Sequence, residues 1–323
     1  MDRNLALEIV RVTEAAALAA AEWVGRGDNS SADQAAVEAM RECLDGVSFR
    51  GKVVIGEGER DEAPMLYIGE EVGCAIAPEV DIAVDPLECT NSVAFGRSNA
   101  LAVIAIAPKG KLLHAPDTYM DKIAVGPEAA EAIDLTRTPE ENIGSVAECL
   151  GFHIHELTVA ILERDRHSDL IARVRKTGAR IHLIPDGDVS SAIAAAMPDT
   201  GVNLLLGIGG APEGVLAAAA LRCVGGAMQG RLVPRNNEER LRAQRMGIAD
   251  INKVYQVHEL AQGSEIMFAA TGVTDGDLLH GVLIRKDNIV TESLVLRQSS
   301  GTRRIIKSEH YFKEGHPVRI LDQ

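Results

Sequence analysis

Val202-Asn203-Leu204-Leu205-Leu206-Gly207-Ile208-Gly209-Gly210-Ala211-Pro212-Glu213-Gly214 carries the reading of the fold. An apolar run over 202–208 passes into a glycine-rich loop and then into a helical pattern over 213–223. Upstream, the same succession occurs twice more. The run 179–184 ends at Pro185-Asp186-Gly187-Asp188 and precedes a helical pattern near 189–197. The run 157–162 ends at Arg164-Asp165-Arg166-His167 and precedes one near 168–177. Such alternation predicts parallel strands joined by helical crossovers, an α/β arrangement. Functional side chains then belong at the carboxyl ends of the strands, and each of these ends is rich in chemistry. The loop 207–214 can cradle a phosphate on its N–H groups. It is neither Gly-x-Gly-x-x-Gly nor a Lys-Ser/Thr P-loop, which disfavours a nucleotide. Glu213, in the first helical turn, is either a dipole partner or a metal ligand. Arg164 and Arg166 either clamp a phosphate or pair with surface acids.

A second informative stretch lies further upstream, Asp81-Ile82-Ala83-Val84-Asp85-Pro86-Leu87-Glu88-Cys89-Thr90. The alternation Val80, Ile82, Val84 predicts a strand that Pro86 ends. Asp85, Glu88 and Thr90 would then stand at its tip, where a hard divalent cation and an attacked phosphoryl group need acids and a hydroxyl. Another short strand, 52–55, runs into Gly56-Glu57-Gly58-Glu59-Arg60-Asp61-Glu62, an acid flanked by glycines at a strand end. Pro64 is expected to open a helix carrying Met65, Leu66, Ile68 and Val72.

Elsewhere the chain predicts a helix over 4–24 stopped by Gly25-Arg26-Gly27, and a second helix through Met40 and Leu44. Asp33 is expected in that second helix's first turn, where it complements the dipole. An antiparallel hairpin is expected from 100–107 through Pro108-Lys109-Gly110-Lys111 to Leu112-Leu113-His114. Tyr119 follows in a loop. The helix ending at Leu150 is stopped by Gly151. Beyond a charged helix over 236–246, the runs 266–269, 281–284, 291–296 and 303–306 read as antiparallel strands. The texture changes near residue 150, predicting halves 1–150 and 151–323 packed as one unit.

With 323 residues and 46% hydrophobic content, the chain can build a substantial core, although aromatics are only 3%. A net charge of −14 without a basic stripe disfavours nucleic acid. The five cysteines are scattered and lack Cys-x-x-Cys spacing, as expected in a reducing compartment. No signal-peptide pattern opens the chain and no apolar run reaches membrane-span length, so a cytoplasmic protein without a membrane partner is expected. The nine histidines show no zinc spacing, which disfavours histidine-led catalysis.

Asp85-Pro86-Leu87-Glu88-Cys89-Thr90 resembles the signature of the lithium-sensitive, metal-dependent sugar and inositol phosphatases, Asp-Pro-[Ile/Leu]-[Asp/Glu]-Gly-Thr. Gly25-Arg26-Gly27-Asp28 ahead of Asp33, Gly56-Glu57-Gly58-Glu59 with Asp61-Glu62-Ala63-Pro64-Met65-Leu66-Tyr67, and Ala115-Pro116-Asp117-Thr118-Tyr119-Met120 add to the likeness. So do Pro185-Asp186-Gly187-Asp188 and 207–214. In this order, over nearly the whole chain, they resemble the class II fructose-1,6-bisphosphatases, some of which also act on sedoheptulose-1,7-bisphosphate. The resemblance implies the layered α/β sandwich of the inositol monophosphatase-like and fructose-bisphosphatase-like sugar phosphatases. It implies removal of the 1-phosphate of fructose 1,6-bisphosphate, a gluconeogenic step, by a homo-oligomer (dimer or tetramer). It further implies two or more Mg²⁺ or Mn²⁺ ions per site, with Asp33 and Glu57 on one and Asp85, Glu88 and Glu213 on a second. Thr90 would help activate the attacking water, with Glu57 as its carboxylate partner. Glu88, Cys89, Thr90, Tyr119, Arg164, Asp165, Arg166, Asp186, Gly187, Asp188 and Gly210 would contact the sugar and its phosphates.

The chemistry fits that role, because phosphate monoesters hydrolyse extremely slowly and need strong electrostatic help. Five acids converging without a cation should also carry raised proton affinities. Two residues depart from the family pattern. Cys89 stands where it has glycine, and Asn29 where its Gly-Asp-Lys has lysine. They predict a correctly folded protein of lowered turnover. A non-catalytic sugar-phosphate binder on the same scaffold and an inositol-type monophosphatase are the competing readings; the arginine pair at 164 and 166 favours a bisphosphate.

Overall fold

In the computed structural model, which describes residues 4–58 and 64–311, the chain opens with helix α1, Leu5–Ala21. Its apolar positions surround the helix, so Leu5, Ala6, Ile9, Val10, Val12 and Ala16 are all buried. Helix α2 follows at Asn29–Asp45, then strands β1, Arg50–Ile55, and β2, Glu71–Val72. Next come β3, Glu79–Glu88, the short helix α3, Thr90–Ala94, and β4, Leu101–Pro108.

From there the chain enters a second group of elements. These are β5, Tyr119–Val125; α4, Pro139–Leu150; β6, Thr158–Leu162; and α5, Ser168–Thr177. They continue with β7, Arg180–Ile184; α6, Val189–Ala194; β8, Leu204–Gly210; and α7, Ala211–Val224. The group closes with β9, Ala227–Val233; α8, Asn237–Arg245; β10, Val254–Gln256; and α9, Val257–Leu260. Four strands finish the chain: β11, Met267–Gly272; β12, Leu283–Ile284; β13, Asn288–Arg297; and β14, Thr302–Tyr311. The fold is mixed α/β, with two sheets and nine α-helices among the described residues.

Two units result, Met1–Lys111 with Ser264–Gln323, and Leu112–Gly263. The first holds an eight-stranded sheet in the order β12-β13-β11-β4-β3-β1-β2, with β14 against β13. Helices α1 and α2 pack on it through Ile9, Val12, Ala16, Val37, Met40, Ile82, Ile104 and Ile106. A buried polar ladder accompanies that packing: the Thr13 and Thr271 hydroxyls meet at 2.8 Å, and Glu14 accepts from Thr291 and Ser308 at 3.2 and 2.6 Å. Each buried oxygen thus keeps a partner, as removal from water requires.

The second unit holds a six-stranded sheet, β10-β9-β5-β8-β6-β7. Strands β6, β7 and β8 run parallel, as the alternation predicts, and β5 lies antiparallel to β8 and β9. Because β5 completes this sheet, residues 112–150 belong with it, and the textural change at 150 falls inside the second unit rather than between two halves. Helices α4 and α5 cover one face through Ile143, Val146 and Val174.

Several local expectations fail for identifiable reasons. Pro86 does not end its strand. The β3–β4 register slips between Asp85 and Glu88, and a bulge is where a strand tolerates a residue without an N–H. No helix follows Pro64. The Glu57 N–H donates to the Leu66 carbonyl (3.1 Å) and the Ile68 N–H to Gly58 (2.9 Å), drawing the segment back along β1. Leu66 itself has φ +53°, outside the helical region. The 101–114 hairpin is absent because β3 and β11 fill both edges of β4; Leu112 bridges Ala261 instead. Glu59, Arg60, Asp61, Glu62 and Ala63, part of the acidic motif, lie outside the described residues.

Candidate active site

Side chains of the first unit gather around the carboxyl ends of β1 and β3. Asp28 caps α2, its Oδ1 accepting from the Ser31 N–H at 3.0 Å, so the helix starts at Asn29. Asp33 therefore lies in the second turn, and the first turn holds no acid to complement the dipole. The preceding loop is tied to α3, with the Gly25 N–H on the Val93 carbonyl (2.9 Å) and the Gly27 N–H on Ala94 (2.8 Å). The Asn29 amide faces Asn91 at 3.4 Å.

Glu57 stands half-buried two residues beyond β1. Burial, reinforced by the charge of Asp33, pushes its carboxyl up to about 7. Asp33 is raised as well, by burial. Two acids held within electrostatic reach of one another, with hard oxygen donors and restricted water, have the chemistry a divalent cation fits. Asp85 accepts the Leu87 N–H at 3.1 Å, across the bulge that turns the strand end. Glu88 is 3% exposed. Cys89 precedes α3 with φ +69° and ψ +46°, the left-handed conformation that glycine adopts without strain. Thr90, half-buried, opens the helix.

In the second unit, the loaded strand ends meet. Arg164, after β6, donates to Asp186 Oδ1 at 2.7 Å and to the Pro185 carbonyl. Arg166 donates from Nε and Nη2 to the Ile208 carbonyl at 3.0 and 2.7 Å, and its guanidinium lies 4.6 Å from the Tyr119 ring centre. Arg235 approaches the same ring at 4.8 Å. Asp165 points into solvent from the turn between them, and Gly187 takes φ +56° between Asp186 and Asp188.

Asp188 is buried against Lys122, whose Nζ donates to it at 2.7 Å and to the Gly210 carbonyl at 2.9 Å. Sequence reading missed Lys122. Its signal is a lysine that follows Asp121 and leads into the apolar run Ile123-Ala124-Val125, a place where a buried ammonium calls for a partner. Glu213, on the first turn of α7, is raised by burial; Lys122 pulls it down and Asp188 pushes it up. A Cβ at Gly209 would collide with the Asp188 carboxylate, and one at Gly210 with that of Glu213. The two glycines that close β8 thus serve close approach of two acids.

Raised proton affinities accordingly occur at Asp33, Glu57 and Glu213, with burial as the leading cause in each; the Asp33 charge adds to it at Glu57 and the Asp188 charge at Glu213. Among the described residues, no group of three or more His, Cys, Asp or Glu side chains is arranged to hold a metal ion. No helix among the described residues is long and apolar enough to cross a membrane.

Residues 3–310 match the family described as bacterial fructose-1,6-bisphosphatase, glpX-encoded. The chain is 49% identical over 345 positions to a D-fructose 1,6-bisphosphatase class 2/sedoheptulose 1,7-bisphosphatase of Synechococcus sp. (strain JA-3-3Ab), covering 99% of each chain. A protein of the same description from Trichodesmium erythraeum (strain IMS101) is 45% identical over 346 positions, covering 99% of this chain and all of its own.

Proposed function

The chain belongs to the glpX-encoded bacterial fructose-1,6-bisphosphatase family, and on that premise we propose that it hydrolyses the 1-phosphate of D-fructose 1,6-bisphosphate, yielding fructose 6-phosphate and phosphate. Sedoheptulose 1,7-bisphosphate, named for its relatives, is the second substrate of this reading. The family is one of metal-dependent phosphatases; Mg²⁺ or Mn²⁺, two or more per site, is the proposed cofactor. Asp33 and Glu57 would hold one ion, and Asp85, Glu88 and Glu213 another. Bound there, the cations would neutralise charge on the phosphoryl oxygens in an in-line displacement.

The chain's own residues do the rest. Thr90 orients the attacking water and relays its proton, the hydroxyl passing its own proton to Glu57 as it takes the water's. Arg164 and Arg166 bind the phosphate remote from the reaction, a role that suits planar guanidinium forks. Tyr119, Asp165, Asp186, Gly187, Asp188 and Gly210 position the sugar, and Glu88, Cys89 and Thr90 line the reacting phosphate. The division of labour, metal-binding residues early and substrate-binding residues late, is part of the proposal, as are a cytoplasmic location, a role in gluconeogenesis and assembly as a homodimer or homotetramer.

The observation that carries this reading is a family match along 3–310 in a chain whose half-buried Glu57 and Asp33 lie within electrostatic reach of each other. Phosphate release from fructose 1,6-bisphosphate, with Mn²⁺, with Mg²⁺ and with chelator, tests it. Release that depends on the cation, and is lost in Glu57→Gln, supports the reading; cation-independent or absent release refutes it.

A further inference from the structure

His167 has no part in the chemistry above, yet it is 2% exposed and sits between the end of β6 and strand β8. Its ring is held from both sides. Nδ1 lies 2.7 Å from the Leu162 carbonyl at the end of β6. Nε2 accepts the Ile208 N–H of β8 at 2.8 Å. These partners fix one neutral tautomer, since a carbonyl needs Nδ1–H and an N–H needs a bare Nε2. Gly207, at φ +135°, lies flat against the ring; a Cβ there would come within 3.0 Å of Nε2. The peptide that follows is the one Arg166 uses, because both guanidinium bonds go to the Ile208 carbonyl. His167 thus grips the N–H of Ile208 while its chain neighbour Arg166 grips the C=O of the same residue.

We infer that His167 is a positioning residue for the remote phosphate, acting through the Ile208 backbone to set where the Arg166 guanidinium stands. This rests on the phosphatase reading. Without the Nε2 acceptor the half-buried Ile208 N–H loses its partner, the 207–208 backbone turns, and the anchor of Arg166 moves with it. A shift of that kind weakens binding of the second phosphate while leaving the reacting end untouched, so it appears in KM and not in kcat.

Two substitutions separate the ring's nitrogens. Gln places a side-chain oxygen near the Nε2 position and keeps the Ile208 link; Asn reaches only as far as Nδ1 and loses it. With fructose 1,6-bisphosphate and Mn²⁺, His167→Asn is expected to raise KM on the order of tenfold with kcat within about threefold, and His167→Gln to restore most of KM. Arg166→Lys added to His167→Asn should raise KM little further, because the two act through one carbonyl. The inference is overturned if His167→Asn leaves KM unchanged, lowers kcat in step with kcat/KM, or combines additively with Arg166→Lys. Wild-type turnover, measured in the same experiment, tests the phosphatase reading separately. Should wild type prove inactive, the same variants are compared for binding of fructose 6-phosphate by calorimetry, where an unchanged Kd in His167→Asn equally overturns the inference.

Discussion

Replacing Cys89 by glycine and, separately, by alanine isolates the strain at the start of α3. Cys89 holds φ +69° and ψ +46° and is 7% exposed, packed in the core of the first unit. Both substitutions remove the same thiol, so packing losses largely cancel between them. What differs is the Cβ. An L-residue in the left-handed region costs about 1–2 kcal/mol, which alanine retains and glycine escapes. Against this, glycine loses more backbone freedom on folding, by about 0.5–1 kcal/mol. The balance favours Cys89→Gly over Cys89→Ala by roughly 0.5–1 kcal/mol, or about 1 °C in midpoint for a chain of this size. Scanning calorimetry in the presence of chelator, with urea unfolding beside it, reads the difference. Equal stabilities, or a more stable alanine variant, would refute the claim that this position stores backbone strain. The same glycine variant, in single-turnover phosphate release, is expected to exceed wild type, since Cys89 stands beside the residue proposed to activate water.

Four further outcomes follow from the charges and contacts. Glu57, held near 7 by burial and by Asp33, binds protons more tightly folded than unfolded, so metal-free stability falls as pH rises from about 4.5 to 7; Glu57→Gln should be more stable than wild type at pH 8 by about 1–3 kcal/mol in chelator, with the gap closing below pH 5. His167 is lowered by burial, with the neighbouring Arg166 charge contributing; its stabilisation is complete above about 6.5 and is lost as pH falls below that, so the acid limb of a denaturation profile should flatten in His167→Gln. Burial pushes the Cys43 thiol up to about 11, while Cys74 and Cys149 are exposed; iodoacetamide at pH 8 should label those two first, as mass spectrometry of timed samples will show. Gly210→Ala drives a methyl into the Glu213 carboxylate; phosphate release is expected to fall by about 100-fold with near-native circular dichroism.

Patterns that depend on neighbours in the chain could be read before any coordinates. The three parallel strands of the second unit, with helices between them, follow from apolar runs punctuated by glycine and proline, because period and breakers are local properties. Gly151 ends α4 in the left-handed conformation for the same reason. Of the terminal antiparallel strands, β14 shows an in-out alternation over its second half, whereas β11 is apolar and buried throughout. The candidate acids, too, were legible as residue types at strand ends, Glu57 beyond β1 and Glu213 beyond β8.

Only the tertiary structure decided what those residues face. Pro86 is a local stop signal, but β4 lies alongside and the bulge absorbs it. Residues 64–68 carry a helical spacing, yet hydrogen bonds back to Gly58 and to the backbone at 57 outweigh it. Leu112 cannot close a hairpin because β11, from 160 residues later in the chain, already occupies that edge of β4. Lys122 and His167 are ordinary letters in the sequence; each acquires meaning from partners 66 and 41 positions away. Secondary structure is set largely by local stereochemistry and hydrophobic period, whereas edge occupancy, burial and the pairing of charges depend on which distant segments share a sheet, and no spacing along the chain encodes that.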